Sequence, residues 1–203
     1  MSDQTLTVFV IDDDEDIRKS LHRALERRGY LVECHASAAS FLGGFDPRRA
    51  GCLVLDYGMP EMNGLELQRH LNDLGATIPI IFITGHGGVP ESVQAIKAGA
   101  VDFLEKPFRQ TDLVERIETA FAIARARLAD EEETRRQRAK FDRLTAREQE
   151  ILARMIARPS EISSKELASA LGISPRTVDH HRARILEKMN VRSVAELIAL
   201  AAK

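Results

Sequence analysis

The stretch Val8–Ile17, VFVIDDDEDI, decides the fold. Four apolar residues, Val8 to Ile11, run straight into five acids, Asp12 to Asp16. An apolar run this short, ended by charge, reads as a buried strand rather than a helix. Five adjacent carboxylates repel one another, so the cluster has to be shared between two elements. Ile17, Leu21, Ala24 and Leu25 then recur at helical spacing, and Gly29 follows as a stop. Asp12 and Asp13 therefore end a strand. Asp14, Glu15 and Asp16 open a helix, where acids favour the positive end of the helix dipole.

The same grammar repeats outward. With Leu6–Ile11 as the first strand, further short apolar runs stand at Tyr30–Val32, Cys52–Leu55, Ile78–Ile83 and Val101–Leu104. Between them lie amphipathic segments through Leu65, Leu67, Leu71 and Leu74 before Gly75, and through Val89, Val93, Ile96 and Ala100. Strands alternating with helices predict a parallel sheet covered on both faces, α/β doubly wound and flavodoxin-like, with strand order 2-1-3-4-5. From Thr111 an apolar stripe runs through Leu113, Ile117, Phe121, Ala124 and Leu128 into a charged stretch, 130–140, where Glu131/Arg135 and Glu132/Arg136 stand at (i, i+4). After residue 143 only helical signals remain. Thr145 and Glu148 form a capping box, Ser164 can cap Lys165–Leu171 before Gly172, Ser174-Pro175 starts a helix to Met189, and Ser193 starts the last one. The expected division is 1–122 for the α/β domain, 123–142 for a long helical linker, and 143–203 for an all-α four-helix domain.

The 203 residues carry a net charge of −2 that conceals an asymmetry. Residues 1–120 hold 19 acids and 12 Lys/Arg, for −7, and residues 121–203 hold 12 acids and 17 Lys/Arg, for +5. A basic C-terminal domain suits a polyanion. No run approaches the ~20 apolar residues of a membrane span. Met-Ser-Asp-Gln lacks the features of a signal peptide. The expected location is cytoplasmic, without membrane contact, and Cys34 and Cys52 are expected as buried reduced thiols.

In open α/β sheets, ligands sit beyond the carboxyl ends of the strands. Those ends here are Asp12-Asp13, Asp56, Thr84-Gly85 and Lys106. Hard oxygen donors of this kind suit Mg²⁺ shared with a phosphate. Asp13 and Asp56 are the direct ligands expected, with Asp12 acting through water and a backbone carbonyl near Gly58 completing the set. Asp56 can also act as a nucleophile toward a phosphoryl group. Lys106 and Thr84 would hold the phosphate, and the N–H groups of Tyr57 and Gly85 could cradle its other oxygens. His86 reads either as an acid/base or as a solvent-facing loop residue.

Together, Asp12-Asp13, Asp56-Tyr-Gly-Met-Pro60, Thr84 and Lys106-Pro107 resemble the receiver domain of two-component response regulators over about residues 5–120. The segment Ile83–Pro90 is similar to the FixJ branch of that family. The resemblance implies that Asp56 accepts a phosphoryl group from a sensor histidine kinase. It also implies a cis Lys106-Pro107 peptide and Phe103 as a switch aromatic, although Phe103 reads equally as core. Gly85 departs from the Ala or Ser usual there. Leu144–Leu152, Gly172–Val178 and His181 resemble the LuxR/NarL/FixJ helix-turn-helix over about residues 141–203. By position in that family, Asp179, His180 and Ala183 would face base edges. Arg176, Thr177, His181, Arg182, Arg184 and Lys188 are candidates for phosphate contact. The segment Arg158–Ser163 is longer than the usual loop there.

The function these resemblances imply is a transcription regulator, an activator by family default and not a conventional enzyme. Its partners would be a kinase, promoter DNA, RNA polymerase and a second copy of itself. Two alternatives stand beside it. Asp12-x-Asp14 after a strand resembles a haloacid-dehalogenase-type phosphatase, but Glu15-Asp16 replaces the expected Gly-Thr and the basic half stays unexplained. A phosphate-independent interaction module is the other.

Overall fold

The structure, a computed structural model, describes residues 6–85, 89–160 and 162–201, with the backbone alone for 89–92 and 201. The chain divides into two compact units after Ala129. The first contains β1 (Thr7–Ile11), α1 (Glu15–Glu26), β2 (Leu31–His35), α2 (Ala38–Gly44), β3 (Gly51–Asp56), α3 (Gly64–Asp73), β4 (Ile80–Thr84), α4 (Val89–Lys97) and β5 (Asp102–Glu105). The strands form one parallel sheet in the order β2-β1-β3-β4-β5. The expected fold class and strand order are observed.

Side-chain alternation along the strands builds both faces. Val8, Val10, Cys52, Val54, Ile81 and Ile83 pack on one side with Leu21 and Leu25 of α1 and with Leu113 and Ile117 of α5 (Gln110–Phe141). Phe9, Ile11, Leu53, Leu55 and Phe82 pack on the other with Phe41 of α2, Leu67 and Leu71 of α3 and Ala95 of α4. Truncating any one of these leucines to Ala costs about 2–5 kcal/mol, because the cavity collapses only in part. Gly64 sets the distance from α3 to the sheet. A Cβ there would lie 2.6 Å from the Asp56 carbonyl and 2.7 Å from the Phe82 ring.

Several local expectations change. The short helix α2 went unread in the sequence. The strand β2 runs on to His35, carrying Glu33 at the sheet edge, where Arg49 pairs with it at 2.6 Å and His35 at 3.1 Å. Cys52 is buried, whereas Cys34 is exposed, and both are free thiols. The helix α5 continues for 32 residues, through the charged stretch. Its ion pairs there are Arg135 with Glu132 and Arg136 with Glu133, an (i, i+3) register rather than the expected (i, i+4).

The second unit is helical: α6 (Ala146–Ala157), α7 (Ser164–Leu171), α8 (Pro175–Met189) and α9 (Val194–Ala201). Ile151, Leu152, Met155, Leu167, Val178, Ile185, Met189 and Leu197 form its core. Thr145 and Glu148 close the expected capping box, and Ser174 caps α8 with Pro175 in its first turn. Gly172, at φ 66°, takes the left-handed turn between α7 and α8. The cap of α7 is Ser163, not Ser164. Ser163 pairs reciprocally with Glu166, so Ser164 is already the first helical residue.

Candidate functional site

The carboxyl ends of β1, β3, β4 and β5 meet at one side of the sheet. Asp12 leaves β1 and is 1 % exposed, and Asp56 ends β3 at 7 %. The Lys106 ammonium, just beyond β5, bridges them, donating to Asp12 Oδ2 at 2.8 Å and to Asp56 Oδ1 at 2.7 Å. The Lys106–Pro107 peptide is cis. Thr84 ends β4 and is buried, and its carbonyl accepts from the Lys106 N–H at 2.7 Å. Asp13 is exposed beside this group. Phe103 on β5 is half-buried, its ring centroid 6.3 Å from that of Phe82.

The loop after β3 orients Asp56. The Gly58 N–H donates to Asp56 Oδ2 at 2.7 Å. The Tyr57 N–H, expected as part of a phosphate cradle, instead donates to the Ile83 carbonyl at 2.9 Å and belongs to the sheet. Asp12 is fixed from the start of α1. The Asp14 N–H donates to Asp12 Oδ1 at 2.9 Å, and Arg18 Nη1 donates to the Asp12 carbonyl at 2.6 Å. Asp14 in turn caps α1, accepting from the Asp16 and Ile17 N–H groups. Arg18 was not anticipated. Its signal is a basic residue one turn into a helix that begins at the acidic cluster. His86 lies outside the described residues.

Burial pushes the Asp12 carboxyl above its ordinary value, despite the opposing bonds from Lys106 and the Asp14 N–H. Burial also disfavours the Lys106 charge, but the bonds to Asp12 and Asp56 outweigh it and raise the ammonium above its ordinary value. Two carboxylates thus share one cation. Among the described residues no three His, Cys, Asp or Glu side chains are gathered closely enough to hold a metal ion. The donor chemistry still fits a hard divalent cation. Asp12 and Asp56 already converge on a positive charge, all donors are oxygens, and Asp13 is open beside them.

On α8, Arg176, Asp179, His180, Ala183 and Arg184 are exposed, while Thr177, His181, Arg182 and Lys188 are half-buried. Several of the expected phosphate contacts, Lys188, Arg184 and Arg182 among them, have partners within the domain. Lys188 Nζ donates to Glu148 Oε2 at 2.6 Å, and Arg184 Nε lies 3.8 Å from Glu148 Oε1. Glu148 is 1 % exposed. Burial alone would raise its carboxyl, but the Lys188 bond and both Thr145 bonds dominate and hold it at about 2. Arg182 Nη1 donates to the Ile162 carbonyl at 3.3 Å and to Ser164 Oγ at 3.2 Å. Among the described residues no helix is long and apolar enough to cross a membrane.

Comparison with known proteins matches both halves. Residues 8–118 fit the response regulator receiver domain, and residues 142–201 fit the bacterial regulatory proteins of the luxR family. The chain is 45% identical over 195 residues to the transcriptional regulatory protein FixJ of Rhizobium meliloti, covering 96% of this chain and 94% of that one. It is 39% identical to the response regulator protein TodT of Pseudomonas putida, covering 98% and 86%. Among solved structures, the response regulator StyR aligns with a TM-score of 0.84 at 41% identity, covering 98% of both chains. The full-length FixJ of B. japonicum aligns with a TM-score of 0.58 at 37% identity, covering 98% and 97%. A receiver domain implies a histidine kinase partner, and a helix-turn-helix implies DNA. The bridged carboxylates at the sheet ends and the basic helix α8 thus belong to one polypeptide design, and the chain is a member of the FixJ-like response regulators, two-component transcription regulators with a LuxR-type DNA-binding domain.

Proposed function

We propose that phosphorylation of Asp56 switches this protein's association with itself and with promoter DNA, and that it acts as an activator recruiting RNA polymerase. The observation that carries this reading is the held nucleophile. Asp56 is fixed through Lys106 on one oxygen and the Gly58 N–H on the other. In the transfer, an Asp56 oxygen attacks the phosphorus of a phosphohistidine. The new P–O bond forms as the P–N bond breaks, and the imidazole leaves, taking a proton from solvent. Mg²⁺, held by Asp13 and Asp56, by Asp12 through water and by a carbonyl near Gly58, would neutralise charge on the transferring group. Lys106 stays protonated throughout and can follow the phosphoryl oxygens.

The phosphoryl group brings about 1.5 to 2 negative charges into a pocket that already holds two carboxylates. Relief comes when Lys106 and the Thr84 hydroxyl turn to the phosphate and Phe103 moves inward, favouring the self-associating state. On DNA, Asp179, His180 and Ala183 face base edges, and Arg176, Arg184 and Thr177 contact phosphates. His181 is a further phosphate candidate. Arg182 and Lys188 hold the domain together rather than reaching the backbone of the duplex. Two copies would read half-sites about one helical turn apart.

The test is Asp56→Asn with acetyl phosphate and Mg²⁺. Labelling and the accompanying dimer, read by sizing, are expected to vanish. Labelling at the wild-type level would defeat the assignment. Labelling of the wild type with no change in size would instead favour a receiver whose phosphate does not drive self-association.

A further inference from the structure

Two adjacent serines stand where α7 begins, and they do different things. Ser163 caps the helix with Glu166. The Ser164 hydroxyl takes no part in the cap. It crosses to α8, donating to Asp179 Oδ1 and accepting from Arg182 Nη1 at 3.2 Å. It is therefore the junction between an acid and a base that lie one turn apart on the helix proposed to enter the groove. Arg182 is anchored in turn on the Ile162 carbonyl.

Asp179 is exposed and no salt bridge to it is found among the described residues. An exposed carboxylate without a tether samples several rotamers, each aiming its oxygens differently. It is also repelled by the phosphates on either side of a groove. The Ser164 hydroxyl occupies Oδ1 through a charge-assisted bond and leaves Oδ2 to accept. An acceptor on a groove helix pairs with an exocyclic amino group, that of cytosine or adenine in the major groove.

We propose that Ser164, on the first helix of the pair, is a positioning residue for base selection by Asp179. It fixes the carboxylate so that Oδ2 alone is presented to an amino-bearing base. This rests on the reading in which Asp179 faces base edges. The consequence is that selectivity at one base pair per half-site depends on a residue that does not itself touch DNA. Freeing the carboxylate restores its rotamers, whose loss is then incurred on binding. The expected result is a threefold to tenfold drop in discrimination, roughly what one immobilised side chain is worth.

The experiment uses the full chain, phosphorylated with acetyl phosphate. A duplex is selected from a randomised pool by the wild-type protein, and binding is then measured to it and to each of its single-base-pair variants. Ser164→Ala is expected to flatten preference at the same position that Asp179→Ala flattens most, with other positions unchanged, and Ser164→Thr to restore it. A uniform loss at every position would reduce Ser164 to a tether between helices and overturn the proposal. If Asp179→Ala leaves every preference intact, the base-edge reading fails first and the proposal with it. If Asp179→Ala alters one position and Ser164→Ala does not, only the proposal fails. Should Ser164→Ala unfold the domain, Asp179→Asn serves. It keeps an acceptor for Ser164 and turns the free oxygen into an amide donor, so preference should move toward a base edge that accepts. An unmoved preference would overturn the proposal.

Discussion

The two units solve the same electrostatic problem in opposite ways. In the receiver, Asp12 and Asp56 share the single ammonium of Lys106. In the DNA-binding unit, the single carboxylate of Glu148 faces two cations, Lys188 at 2.6 Å and Arg184 at 3.8 Å, and also accepts the Thr145 N–H at 2.8 Å. The first site is left short of positive charge, and burial raises the Asp12 carboxyl. The second is saturated, and its carboxyl is held at about 2. Two buried acids that share one cation keep net negative charge at the strand ends. One buried acid flanked by two cations fastens α6 to α8. Burial looks alike at the two sites, and the ratio of cations to carboxylates tells them apart.

The largest break in this comparison should come from Lys106→Met. With no cation between Asp12 and Asp56, phosphate uptake from acetyl phosphate is expected to fall by at least ~100-fold, as for loss of a buried, preorganised charge partner. Labelling within about threefold of wild type would make Lys106 a bystander. Next, Glu148→Gln leaves the buried end of Lys188 without its counter-charge. The C-terminal unit should lose about 2–4 kcal/mol, as expected when one member of a buried pair is removed. Hydrogen exchange across residues 144–200 of the full chain reads this directly, with the receiver amides as the internal control.

The third break uses acid. The Glu148 carboxyl is depressed from its ordinary 4.5 to about 2 in the folded state. The unfolded chain therefore takes up the proton first, and the stabilisation, complete above about pH 4.5, is lost as pH falls toward 2. Glu148→Gln should flatten the acid limb of the exchange profile for this unit. An acid limb unchanged by the substitution would place its origin in other carboxylates. The smallest effect should come from Lys19→Ala. Its pair with Glu15 spans 2.8 Å, but both side chains are more than half exposed. The change should leave the thermal unfolding midpoint within the scatter of replicate melts, because water screens exposed pairs.

Much of the receiver was legible because strand ends announce themselves: apolar runs stop at Asp12, Asp56, Thr84 and Lys106. The helix α2 was not, since Ala38–Gly44 is short, ends in a glycine pair and buries only Ala38 and Phe41. The far end of β2 was missed because an edge strand with one open side tolerates Glu33 and an exposed Cys34. The choice between Ser163 and Ser164 as cap was decidable, since Glu166 stands three residues after Ser163 and completes a capping box. The partners of Lys188 and Arg182 were not, because Glu148 and Ile162 lie 40 and 20 residues away and helical periodicity is silent about contacts between helices.

The edge of the sheet carries a last consequence. Among the described residues β2 pairs only with β1, so its outer side and an exposed Leu31 would otherwise be a template for another chain's strand. Glu33, locked to Arg49 and His35, stands on that same strand. A second strand docking there would have to strip water from the carboxylate and guanidinium together, for no new partner. Strand addition at β2 is therefore disfavoured where Glu33 stands, and the charge that blocks it is kept in place by its own two partners.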